Sequence, residues 1–189
     1  MPESLCKLTS LKHLELTSHG ITSLPPSFAE LKNLEEVILG FNELGSIEDL
    51  RILTTLKNLK KIDLYSNKIS GRIPSELYKL DKLEYLNLCI NKLTGSLSED
   101  IGNLKNLREL GLMMNSLSGN IPDIICTLTN LESINLSDNN FSGTIPENIG
   151  NLKKLKGLSL DSNSMSGVIP RSMTKLSNLE TICLLNDPS

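Results

Sequence analysis

One phrase returns eight times along these 189 residues: leucine, two residues, an aliphatic, one residue, leucine, two residues, then usually asparagine. Its aliphatic anchors are Leu14, Val37, Ile62, Leu86, Leu110, Ile134, Leu158 and Ile182, spaced 23, 25, 24, 24, 24, 24 and 24 residues apart. A fixed period of this length constrains the fold before any local propensity is consulted. One such unit cannot bury its apolar face alone, so it must stack on its neighbours around a continuous core. The chain therefore reads as one solenoid domain, 1–189, of about eight repeats of 23–25 residues, in which added length adds turns rather than domains. With no Trp and 3% aromatics, that core has to be built from Leu and Ile.

Within a unit, the stretch Tyr85 to Cys89 alternates polar and apolar, which predicts a short strand with Leu86 and Leu88 inward. Stacked turns align such strands into a parallel sheet. The asparagine follows where the backbone leaves the strand. Its amide both donates and accepts, so a column of Asn42, Asn67, Asn91, Asn115, Asn139 and Asn163 is expected to satisfy buried backbone groups of adjacent turns. The terminal units place His19 and Asp187 in that column; the imidazole can still donate and accept, whereas an ionised carboxylate only accepts.

The outer half of the unit carries a second signature. Ser70-Gly71-Arg72-Ile73-Pro74, Ser118-Gly119-Asn120-Ile121-Pro122, Ser142-Gly143-Thr144-Ile145-Pro146 and Ser166-Gly167-Val168-Ile169-Pro170 share it, with Thr94-Gly95-Ser96-Leu97-Ser98 as a degenerate copy. Glycine permits unusual backbone geometry and proline opens a short helical return. These residues resemble the plant-specific class of leucine-rich repeats, and the resemblance covers nearly the whole chain. It implies an α/β leucine-rich repeat solenoid: a curved right-handed superhelix with a parallel β-sheet on the concave face and short helices, 3-10 turns and loops on the convex face. The turn after His19, Ile21-Thr22-Ser23-Leu24-Pro25-Pro26-Ser27-Phe28, looks more like the shorter repeats of intracellular Ras-interacting families. The next turn lacks the glycine-isoleucine-proline segment, and Ile47, Leu50, Leu53 and Leu56, three apart, predict a better-formed convex helix.

Several functions find no support. The net charge of −3 offers no basic field for nucleic acid, and no apolar run is long enough to span a membrane. The two histidines share the first complete unit, so no metal-ligand cluster, nucleophile–base constellation or phosphate loop is assembled; no catalytic residue, metal or cofactor is expected. Cys6 and Cys126 lie five turns apart and Cys89 and Cys183 nearly four, which at roughly 4.8 Å per strand puts them beyond disulfide reach. All four read as free thiols, two buried and two on the strand face. Both ends fall within a repeat without a polar cap, so a fragment is expected; no secretory signal opens the chain as given.

A stacked parallel sheet offers a concave surface for binding. Units two to five place Ile38, Phe41, Tyr65, Tyr85, Cys89, Ile90, Met113 and Met114 outward, where units six and seven place serine, glycine, asparagine and aspartate. An apolar strip rimmed by charge marks an interaction surface. The candidate ligand-binding residues are Ile38, Phe41, Lys61, Asp63, Tyr65, Tyr85, Asn87, Ile90, Glu109, Met113 and Met114. The competing expectation is that these apolar side chains fold sideways onto neighbouring turns. Two triplets of glycosylation type start at Asn135 and Asn140; the repeat demands asparagine and serine close together, so chance readily supplies them, and on a secreted chain glycans there would block the concave face of unit six.

The resemblance implies a peptide- or protein-recognition module of a signalling receptor, such as the ectodomain of a plant receptor-like kinase or receptor-like protein, at the cell surface. The missing flanks could then serve a co-receptor or self-association. A secreted inhibitor resembling polygalacturonase-inhibiting proteins is one alternative. An intracellular scaffold for small GTPases or other signalling proteins, in the cytoplasm, is the other.

Overall fold

A computed structural model describes residues 1–184. The expected strands form as β1 (His13–Glu15) and β2 (Glu36–Ile38), followed by helix α1 (Ile47–Leu53), β3 (Lys61–Asp63), β4 (Ser70–Arg72) and β5 (Tyr85–Asn87). They continue as β6 (Lys92–Ser96), β7 (Glu109–Gly111), β8 (Ser116–Asn120), β9 (Ser133–Asn135), β10 (Asn140–Gly143), β11 (Gly157–Ser159), β12 (Ser164–Met165) and β13 (Thr181–Cys183). Eight of these build the concave sheet in the order β1-β2-β3-β5-β7-β9-β11-β13, all parallel. The register is the one the repeat dictates: Leu14 pairs with Val37, Val37 with Ile62, Ile62 with Leu86, and so on to Ile182. A shift by one residue would turn every inward leucine to solvent, so burial pins the pairing.

The second sheet is a departure from expectation. The stretches after the bridging asparagines from Asn67 onward, which run into the Ser-Gly-x-Ile-Pro segments, pair in parallel as β4-β6-β8-β10-β12 along one flank. Their glycines, Gly71, Gly95, Gly119, Gly143 and Gly167, hold φ between 75° and 110°, a conformation that a side chain disfavours. The following proline or serine then opens a 3-10 turn, as in Ser75–Lys79, where Leu77 N–H donates to Pro74 O at 3.0 Å and sinks its side chain into the core. In the second turn, where the segment is missing, α1 forms as predicted. Ser46 and Asp49 cap it reciprocally, and Asp49, buried, also accepts from Leu24 N–H of the turn before at 2.7 Å.

The asparagine column does what its chemistry allows. Asn139 Oδ1 accepts from Leu117 N–H at 3.0 Å, and its Nδ2 donates to Leu112 O of the preceding turn and to Leu136 O of its own. Asn42, Asn67, Asn91, Asn115 and Asn163 repeat the pattern. His19 breaks it: the exposed ring reaches only Thr17 O, at 2.7 Å, and bridges no turns. Asp187 lies outside the described residues.

Two further columns had gone unread in the sequence. A second set of asparagines, Asn33, Asn58, Asn106, Asn130 and Asn178, donates to the carbonyl one turn earlier, from Thr9 to Lys153. Just before each concave strand, the charge alternates without a break: Lys12, Glu35, Lys60, Glu84, Arg108, Glu132, Lys156, Glu180. Parallel pairing sets these side chains one above another, and Glu35 bonds Lys60 at 2.7 Å while Glu132 bonds Lys156 at 2.8 Å and Arg108 Nε at 2.9 Å. Lys156 and Arg108 hold the Glu132 carboxyl down at about 2.

Two outcomes follow for stability. Asn139→Ala leaves buried backbone groups unpaired and should cost about 1–3 kcal/mol in urea unfolding, whereas His19→Ala should stay within about 0.5 kcal/mol. Because the folded Glu132 carboxyl titrates below its ordinary 4.5, its contribution is complete above that pH and is lost as pH falls toward about 2. Glu132→Gln should flatten the acid limb of stability against pH, and added salt should shrink the difference, since the pair is exposed.

Candidate functional site

The residue just before each bridging asparagine, and the one before His19, is held in the left-handed region. Ser18, Phe41, Ser66, Ile90, Met114, Asp138 and Ser162 have φ between 52° and 62°. The chain must turn sharply out of the strand here while the asparagine grips the carbonyls behind it. Small polar residues tolerate this conformation better than bulky or β-branched ones. Turns two, four and five nevertheless carry Phe41, Ile90 and Met114. Phe41 is 57% exposed and Met114 48%, so neither is there to fill the core. Ile90 is half-buried. Strain of order 1–3 kcal/mol per such residue persists at sites where the side chain has a use.

The other predicted residues form a connected surface around them. The Phe41 and Tyr65 rings lie 5.1 Å apart, tilted by 58°, and Lys61 Nζ sits 4.7 Å above the Tyr85 ring. Ile38 is half-buried, in register with Asp63. Asp63 and Asn87 are less available than expected. Asp63 Oδ1 accepts from Tyr65 N–H at 3.0 Å and Asn87 Oδ1 from Cys89 N–H at 3.1 Å, closing the backbone as it leaves the strand. The Asn87 amide also donates to the Tyr85 hydroxyl at 3.3 Å. Asp63 keeps one oxygen free of these bonds; Asn87 is engaged at both ends.

Between turns three and six the sheet dips. A depression of about 240 Å³ is lined by Tyr65, Tyr85, Asn87, Cys89, Glu109, Gly111, Met113, Ser133 and Asn135. Gly111 makes it. A Cβ there would come within 2.9 Å of Cys89 Sγ and 3.0 Å of Asn87 Oδ1, so the neighbouring side chains lean into its place. Cys89 is thereby buried rather than presented on the strand face, which makes three buried cysteines with Cys6 and Cys126; Cys183 alone is exposed, and all four are free. Burial pushes the Cys89 thiol up, away from thiolate chemistry. Burial, with the Asp63 and Glu109 carboxylates adding to it, likewise raises the Tyr85 phenol. Gly111 and Asn135 lie outside the predicted binding surface, and Cys89, expected on its apolar strip, is buried instead. The signal was present: in the second outward position every other turn carries a side chain, from Glu15, Ile38, Asp63 and Asn87 to Asn135 and Ser159.

The two glycosylation triplets separate. Asn135 is half-buried in the depression, with Oδ1 accepting from Ser137 N–H and Oγ–H, so it is a poor acceptor for a glycan. Asn140 is exposed at the start of β10, on the flanking sheet, and a glycan there would leave the concave face open. Among the described residues there is no group of three metal-binding side chains, and no helix is long and apolar enough to cross a membrane.

The chain has relatives of known kind. A family model described as leucine rich repeat matches residues 32–93 and 129–187, and a second of the same description matches residues 106–128. A "Probable disease resistance protein" of Arabidopsis thaliana is 41% identical over 93 residues, which is 48% of this chain and 11% of that protein. The crystal structure of a TDR receptor superposes with a TM-score of 0.90 at 32% identity, covering 99% of this chain and 33% of that one. The leucine-rich repeat ectodomain of the Arabidopsis receptor kinase HAESA, solved with an extended peptide hormone ligand, gives 0.84 at 33% identity over 99% of this chain and 32% of its own. The chain thus spans about a tenth of that curated relative and about a third of each structural neighbour.

If Phe41 serves the surface rather than the core, Phe41→Asn should leave the urea midpoint unchanged or raise stability by up to about 1 kcal/mol, through relief of the left-handed strain. A loss above that size would mean that its packing on Tyr65 outweighs the strain.

Proposed function

We propose, from the premise that this chain belongs to the leucine-rich repeat family, that its concave sheet recognises an extended peptide or protein segment through turns two to five. The observation that carries this reading is the placement of Phe41, Ile90 and Met114 at strained left-handed positions, two of them exposed, beside Tyr65, Tyr85 and the Gly111 depression. A sheet kept only for stacking would gain from serine or asparagine there, as turns three and seven have with Ser66 and Ser162. Aromatic and methionine side chains around a depression give the large, adaptable contact area of an interaction hot spot.

The whole protein is then a receptor-like recognition protein, with this segment outside the cell and its ligand a peptide or protein, alone or with a co-receptor. The likeness to the HAESA ectodomain, itself solved with a peptide hormone, supports that assignment. The exposed Asn140 gives it a chemical check. Protein isolated from its native tissue should carry a glycan at Asn140 and none at Asn135, read by mass spectrometry. An unmodified Asn140 would favour the intracellular scaffold, with which four free thiols agree.

Binding itself is tested by selecting linear peptides from a display library. Selected peptides should lose about tenfold or more in affinity, about 1.4 kcal/mol, against the combined Tyr65→Ser, Tyr85→Ser and Met113→Ser variant. Its circular dichroism spectrum should match the parent's. Affinity unchanged by this variant would remove the concave face from the reading.

A further inference from the structure

The concave face is electrostatically lopsided. Its outward positions carry Glu15, Glu36, Asp63, Glu109, Asp138 and Asp161 against the single lysine Lys61. The adjacent alternating column shows what a self-satisfied row looks like, since Glu35 and Glu132 are each held by cations of the turns on either side. Among the described residues the concave columns have such a partner only at their start, where His13 Nδ1 lies 2.8 Å from Glu36 and Nε2 3.7 Å from Glu15. Glu109 stands in register between Tyr85 and Ser133, neither of them a cation. Its chain neighbour Arg108 is committed to Glu132 and Glu84. Lys61, the nearest concave cation in that column, is turned onto the Tyr85 ring instead. The Asp63 and Glu109 carboxylates both act on Tyr85, and Glu109 itself lines the Gly111 depression.

We propose that this depression takes one positively charged side chain, an arginine or lysine, from an extended peptide lying across the strands. The cationic head meets Glu109 and the free oxygen of Asp63, and the methylene stem lies against Tyr85 and Met113. The depression, about 240 Å³ and open to the concave face, is large enough to take a side chain from above. Amphipathic stems pack on apolar walls while their heads stay near solvent and charge, and a carboxylate at a half-open rim is stronger for it than one in bulk water. The same field disfavours acidic peptides, because a carboxylate beside Glu109 meets like charge, and Lys61, the one lysine nearby on the concave face, is engaged on the Tyr85 ring. This inference rests on the concave face being a peptide-binding surface and adds the charge of the residue that anchors there.

Three synthetic peptides distinguish the two levels: a serine-glycine heptapeptide whose central residue, flanked by leucines, is arginine, citrulline or glutamate. Titrated into nitrogen-15-labelled protein, the arginine peptide should shift the amides of Gly111, Asn87 and Asn135. The neutral isostere citrulline should bind at least tenfold more weakly, and the glutamate peptide should leave those amides unmoved. Glu109→Gln should reduce the arginine peptide to the citrulline level, and 0.5 M salt should do much the same to the parent protein. Equal affinity for arginine and citrulline at Gly111 would overturn the charge assignment and leave the concave face a peptide site. Shifts confined to the flanking sheet, or none from any of the three peptides, would overturn the assignment and count against the concave reading as well.

Discussion

Everything in this molecule hangs on how the backbone is satisfied where it leaves each concave strand. At that point the chain bends, buried carbonyls of two turns face one another, and no ladder partner is available to either. The bridging asparagine supplies one acceptor and two donors in a single planar group, and so joins a turn to the one before it. The residue before the asparagine takes the left-handed conformation at this bend, as Ser18 does before His19, and the asparagine secures it. What stands outward at this position is therefore set by a constraint whose purpose is internal. Phe41, Ile90 and Met114 are presented outward because Asn42, Asn91 and Asn115 are anchored inward.

The remaining columns follow from the same stacking. Parallel pairing without slippage places one residue per turn directly above its equivalent, so any property repeated at a fixed register becomes a continuous stripe. The leucines become the core, the flank glycines a second sheet, and the alternating lysines and glutamates an edge that neutralises itself. In such a lattice a departure is easily located. Gly111 opens a depression because Asn87 and Asn135 above and below it carry side chains, and Glu109 is unpaired because its column offers Tyr85 and Ser133 in place of a cation. The surface charge and the depression coincide at turns four and five, next to the two exposed or half-buried apolar residues Ile90 and Met114.

The repeat made the fold legible. Period, strand register, inward leucines, the asparagine column and the helix at Ile47–Leu53 could all be read, since each depends on residues close in sequence or on a strict recurrence. The candidate surface was legible as a set of outward positions, and Phe41, Tyr65, Tyr85 and Met113 are indeed brought together there. What the sequence could not show was how those side chains lean. Asp63 and Asn87 turn back to their own backbones, Cys89 sinks beside Gly111, and Asn135 is drawn into the depression while Asn140 faces the flank. The flank sheet was missed because Ser-Gly-x-Ile-Pro has the composition of a loop; only the identical segment one turn away makes it a strand. The alternating column was missed for a kindred reason, as a lysine and a glutamate 25 residues apart are unrelated until the solenoid stacks them.

By itself, then, the sequence determined that this chain stacks into a leucine-rich solenoid and which residues of each turn face in or out, because a 24-residue period leaves apolar burial no other arrangement. The tertiary structure alone decided what the outward residues amount to. Distances between turns, set by hydrogen bonds across the stack, turned one glycine into a depression, set Glu109 against it and left Phe41 and Met114 exposed at left-handed positions.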